Sequence, residues 1–137
     1  MNAKLPPLLE TSINTLTSEG GWILGEQLVS SAFGDLAITL RRDNVRMRIV
    51  RDRGQWYIEF SESGWASEWY DLALIQEVLT GSIGEDVLSL EQQVRIVSSN
   101  WPKIVELFRP ERAKCTHTLL SQLRLERSKR RMPELFK

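Results

Sequence analysis

Residues 36–60, LAITLRRDNVRMRIVRDRGQWYIEF, decide the fold. Three runs in this stretch alternate apolar and polar side chains with period two, and Asp43-Asn44 and Arg53-Gly54 separate them, which is the pattern of antiparallel strands joined by tight turns. Asp43-Asn44 suits the positive φ angles of a two-residue hairpin turn, and such a turn sets Leu40 against Met47 and Ile38 against Ile49. A second turn centred on Arg53-Gly54 sets Ile49 against Ile58 and Met47 against Phe60, with Trp56 near the turn on the same face. All four pairs are apolar. Slipping any strand by one residue would turn its whole apolar set outward, so the pattern specifies both register and buried face. The opposite face carries Ala37, Thr39, Arg41, Arg46, Arg48, Val50, Tyr57 and Glu59, with Arg48 across from Glu59.

Upstream, Pro6 and Pro7 suit the first turn of a helix, Leu9, Ile13 and Leu16 follow at helical spacing, and Gly20-Gly21 ends it. The segment 22–33 has apolar runs too short to show a period, and a strand is expected near residues 26–32. Downstream, Asp71 caps a helix with Leu72, Ile75 and Leu79 on one face, and Gly81 stops it. Ser89 and Gln92 form a capping box, after which Leu90, Val94, Val97, Trp101, Ile104 and Phe108 mark one long amphipathic helix, or two joined at Pro102. Pro110 opens a last helix with the stripe Ala113, Thr116, Leu120 and Leu123. Strands first and helices after them give an α+β fold: an antiparallel meander of three to four strands with helices on its apolar face. The expected organisation is a single domain over 1–137, strand-rich at 26–60 and helical at 70–127, with a basic tail at 127–137.

Charge is distributed unevenly although the 18 Lys and Arg balance the 18 Asp and Glu. Residues 1–108 hold 9 cations and 15 anions, a net −6, while 109–137 hold 9 and 3, a net +6. Between Arg53 and Arg95 stand eight acids and no Lys or Arg. No apolar run approaches the roughly 18 residues of a membrane span, the first residues lack an apolar centre of signal-peptide type, and the lone Cys115 suits a reducing compartment, so a cytoplasmic location is expected.

The residues needed for common chemistries are missing. His117, the only histidine, lies two residues from Cys115 on a helix, a spacing that points the two apart and suits packing and surface roles instead of a nucleophile and base. There is no phosphate-cradling glycine loop, no nucleophile elbow and no His or Cys cluster at metal-ligand spacing, so neither catalytic residues nor metal or cofactor are expected. The basic tail invites nucleic acid, but the acidic body opposes a polyanion.

The segment Gly64-Trp65-Ala66-Ser67-Glu68-Trp69-Tyr70 places three aromatics beside acids, the residue types of an interface anchor with a charged rim. Trp69 and Tyr70 are equally suited to stapling the following helix onto the core.

Phe33-Gly34-Asp35, the strand and turn from Val45 to Trp56, and Trp69-Tyr70-Asp71-Leu72 opening a helix together resemble small bacterial immunity proteins of polymorphic toxin and contact-dependent growth-inhibition systems. The resemblance spans residues 33–80. It implies a role in neutralising a toxin and transfers no functional residues. The expectation is therefore a non-enzymatic antidote to a cognate toxin C-terminal domain, with a nuclease bearing a basic cleft as one candidate. Its expected binding surface is Glu62, Trp65, Glu68, Glu85 and Asp86. The alternatives are a nucleic-acid-binding or regulatory module using the basic C-terminal helix, and an adaptor for an unrelated protein.

Overall fold

The alternating runs form the centre of a five-stranded antiparallel sheet in the computed structural model, which describes residues 6–29, 35–62, 68–83 and 88–132. Each strand lies beside its neighbour in sequence: β1 (Ile23–Val29), β2 (Leu36–Arg42), β3 (Val45–Asp52), β4 (Gln55–Glu62) and β5 (Tyr70–Asp71). Helix α1 (Pro7–Gly20) precedes the sheet, and α2 (Leu72–Thr80), α3 (Leu90–Leu107) and α4 (Pro110–Arg131) follow it. The fold is α+β, with five strands where three to four were expected.

Both hairpin registers are those read from the apolar alternation: Leu40 faces Met47, Ile38 faces Ile49, Ile49 faces Ile58 and Met47 faces Phe60. The inner-face residues from Leu36 to Phe60 are at most 5% exposed, apart from the half-buried Arg42, Arg51 and Trp56 near the turns. Arg53 (φ 53°) and Gly54 (φ 81°) both adopt left-handed angles, as the right-handed twist of the flanking strands demands. At the other turn only Asp43 does, with φ 51°. Asn44 instead donates its side-chain amide to the Phe108 carbonyl at 2.8 Å, which ties this hairpin to the end of α3.

Strand β1 begins three residues earlier than expected, and its exposure explains why the sequence hid it. Ile23, Leu24, Gly25, Glu26 and Gln27 are all exposed on this edge strand, so burial imposed no alternation on them. The pairing with β2 also shifts register between Leu24 and Gln27, which breaks any period that remained.

All four helices bury residues in the same cluster as the inner sheet face: Leu9, Ile13 and Leu16 from α1, Leu72, Leu74 and Ile75 from α2, Val94, Val97 and Ile104 from α3, and Leu120 from α4. Among the described residues the helices therefore occupy one side of the sheet, and the other side is half-buried to exposed apart from the buried Ser61. Helix α3 starts at the expected capping box of Ser89 and Gln92 and continues unbroken past Pro102. Helix α4 carries the basic stretch to Arg131 as helix, so the first part of the expected tail belongs to it. Cations in a last helical turn suit the negative end of its dipole.

Asp71 joins three elements. One carboxylate oxygen accepts from the Leu74 amide at 3.0 Å, which caps α2, and the other receives Arg127 of α4 at 2.7 Å. Asp71→Ala is expected to cost about 2 kcal/mol, roughly half from the cap and half from the partly buried ion pair. Asp71→Asn, which keeps a capping oxygen, should lose about half as much, and salt should narrow the gap between wild type and Asp71→Asn. Urea melts of the three proteins at low and high ionic strength measure both effects.

A candidate protein-binding face

Cross-strand rows build the open face of the sheet. One row sets Arg41 beside Arg46 and Ser61, the next sets Thr39, Arg48, Glu59 and Asp71 side by side, and a third sets Ala37, Val50 and Tyr57 together. Arg48 reaches Glu59 with two guanidinium nitrogens, at 3.0 and 2.7 Å from the same carboxylate oxygen. Arg46 donates to the Ser61 hydroxyl at 3.3 Å.

Trp69 lies over both guanidinium groups, with its ring centroid 4.8 Å from Arg46 Cζ and 4.3 Å from Arg48 Cζ. Contacts of this kind contribute about 0.5–1 kcal/mol each at exposed sites and more when shielded from water. Tyr57 is 38% exposed on the same face, with its hydroxyl 2.5 Å from Gln55 Oε1. Trp, Tyr and Arg are the residue types over-represented among interface hot spots. Here Tyr57 and the arginines stand on strands, and Trp69 directly precedes β5.

The residues flanking Trp69 take different roles. Tyr70, fully buried, pairs opposite Phe60 on the inner face, and its hydroxyl meets His117 Nδ1 at 2.7 Å and the Ser121 hydroxyl at 2.8 Å. His117 thus has a polar partner that the sequence did not indicate, while Cys115 is exposed. The phenol anchors α4 to the sheet. Arg124 of α4 lies over the same Tyr70 ring at 4.4 Å, donates to the Trp69 carbonyl at 3.1 Å and pairs with Glu68 at 2.9 Å.

Of the five residues expected to meet a partner, Glu62 and Glu68 are described. They stand half-buried at the two ends of the connection between β4 and β5, Glu62 opposite Val45 on the inner side of the sheet and Glu68 beside Arg124 of α4. Trp65, Glu85 and Asp86 lie outside the described residues. Four of the eight acids of the 54–94 stretch are committed to other parts of the chain: Glu59 to Arg48, Glu68 to Arg124, Asp71 to Arg127 and Glu77 to Arg130. The −6 body and the +6 tail read from the sequence are, in good part, each other's counterions. Arg41, Arg46, Arg48 and Tyr57 were read from the sequence only as the polar side of the sheet. Their signal as a surface is the position of Trp69, which sequence spacing alone does not disclose.

Crevices of about 100 Å³ and 160 Å³ flank Arg127, between α4, α2 and β4. Both fall below the roughly 300 Å³ of a small-molecule site. Among the described residues no group of His, Cys, Asp and Glu could hold a metal ion, and no helix is long and apolar enough to cross a membrane. Compared with protein-family models, with curated proteins and with solved structures, the chain matches none of them.

Proposed function

We propose that this chain is an immunity protein that binds a cognate bacterial toxin domain on the open sheet face and neutralises it by occupying its active site or substrate path. It acts by binding and carries out no turnover of its own. The observation that carries this reading is the sheet face, free of helices among the described residues, on which Tyr57, Trp69 and three arginines come together. Their composition is that of an interface core, and the placement of Tyr57 and the arginines on strands spares a partner the cost of ordering them. The resemblance at residues 33–80, which includes most of these strands, points the same way. Binding of nucleic acid by the basic helix draws less support, because Arg124, Arg127 and Arg130 already hold carboxylates of the chain.

Affinity capture from the source bacterium, followed by identification of the bound protein, tests the proposal. The expected catch is a toxin C-terminal domain whose toxicity the chain suppresses in a growth assay. Tyr57→Ala and Trp69→Ala, first verified as folded by circular dichroism and melting, should each weaken that complex by about thirtyfold, the effect of losing about 2 kcal/mol at a hot spot. Salt-sensitive retention of nucleic acid in place of a toxin, or turnover that disappears in His117→Ala, would overturn the reading.

A further inference from the structure

We infer that the free edge of β1 takes an extended segment of a partner protein as a sixth strand, one that sets a basic residue beside Glu26 and apolar residues beside Ile23 and Leu24. The segment is assigned to the toxin domain on the strength of the antidote reading; the edge and its chemistry stand on the strand itself.

β1 ends the sheet and pairs with β2 on one side only. Along its other side, among the described residues, neither main chain nor side chains supply a hydrogen-bond partner. Residues 23–27 are exposed one after another and include two large apolar side chains, Ile23 at 56% and Leu24 at 39%. Unpaired amides and carbonyls beside exposed apolar side chains suit strand addition, in which the main chain supplies affinity and alternate side chains supply selectivity. The opposite edge of the sheet is built differently. There β5 and the Gln93 amide occupy outward groups of β4. Ile23 lies opposite Arg41, so a strand added to β1 widens the same sheet surface that carries Tyr57 and the arginines, and one partner can hold edge and face together.

Glu26 decides between occupants. It is exposed, makes no ion pair or hydrogen bond among the described residues, and is the middle residue of the seven in β1 and the only charged one. A second copy laid antiparallel along the whole strand sets Glu26 against its own counterpart, and like charges directly opposite each other destabilise a pair. Sliding the copy until Gly25 meets Gly25 sets Glu26 against Leu24 instead. The register shift between Leu24 and Gln27 also turns the edge away from long regular ladders. Gly25 fits that shift because a Cβ there would stand 3.1 Å from the Thr39 carbonyl oxygen. A short partner strand with Lys or Arg opposite Glu26 replaces the repulsion with attraction. Nucleic acid does not suit an edge whose one charge is negative.

The test titrates the full chain, its backbone amides followed by NMR, with two eight-residue peptides, one alternating valine and lysine and the other valine and glutamate. The lysine peptide is expected to shift the amides of residues 23–27 to saturation and to slow their hydrogen exchange. The glutamate peptide should bind there about tenfold more weakly. Glu26→Lys should invert that preference, while Glu126→Lys, the same charge change at an exposed position on α4, should leave it unaltered, once melting has verified both variants as folded. Shifts confined to another surface, or a preference that Glu26→Lys leaves in place, would overturn the inference. A dimer of the chain alone with its β1 amides protected from exchange would overturn it in favour of a second copy. The peptide result and the toxin result are separable. Peptide binding at β1 without toxin protection sinks the antidote reading alone, and protection that survives Glu26→Lys with no peptide bound at β1 sinks the edge inference alone.

Discussion

Gln93→Leu is expected to destabilise the protein by about 3 kcal/mol, although leucine nearly matches glutamine in volume and leaves little cavity. Gln93, on α3, is 6% exposed, and its side chain completes the edge of β4 where β5 does not reach. Its oxygen accepts from the Ile58 amide at 2.9 Å, and its nitrogen donates to the Trp56 carbonyl at 2.9 Å and to the Leu88 carbonyl at 3.1 Å. β5 pairs with β4 only at Glu59 and Phe60, so a helix-borne amide does the work of a strand beside them. Leucine would leave one buried donor and two acceptors without partners, at roughly 1 kcal/mol or more apiece. Urea unfolding measures the loss. A change below about 1 kcal/mol would mean that water reaches this edge and that Gln93 is replaceable.

The second large effect lies in the sheet. Ile49→Ala should cost about 2–5 kcal/mol, because Ile49 is fully buried in a row between Ile38 and Ile58 and its removal leaves a cavity the hairpins cannot close. Arg41→Ala, on the exposed side of the neighbouring strand, should change stability by no more than about 0.5 kcal/mol. The contrast is the measurement. Comparable losses in chemical denaturation would mean that the two faces are not divided as the registers place them.

The legible parts of the fold were those in which local pattern and tertiary burial agree. The rows of β2, β3 and β4 have one dry face, so alternation survives in the sequence, and the apolar pairs pin the turns between them. The Asp71 cap and the Ser89–Gln92 box are likewise set by residues three apart. β1 left no such trace, since an exposed edge strand with a register shift has no face to encode. Gln93 was equally hidden: a glutamine in a helix looks the same in sequence whether it meets solvent or the edge of a strand. The site was half legible. Aromatic and charged residues near position 69 stood out, but sequence shows charges only as runs, and three acids of the run here are matched by arginines more than fifty positions away. The spacing of Arg124, Arg127 and Arg130, one per turn of α4, was the available sign that a single helix face carries them all.

That pairing sets an order on the birth of the molecule. β2, β3 and β4 are joined by two-residue turns, so their pairings are local and can form as soon as each hairpin clears the ribosome. The carboxylates at 68, 71 and 77 emerge next and have no guanidinium to meet until residues 124–130 have been synthesised, several seconds later at about 5–20 residues per second. Throughout that interval the nascent sheet carries its arginines together with a belt of unopposed negative charge. Helix α4 both closes the core with Leu120 and pairs these three carboxylates, so a nascent chain halted before residue 120 would differ from the folded protein as much in its surface field as in its packing.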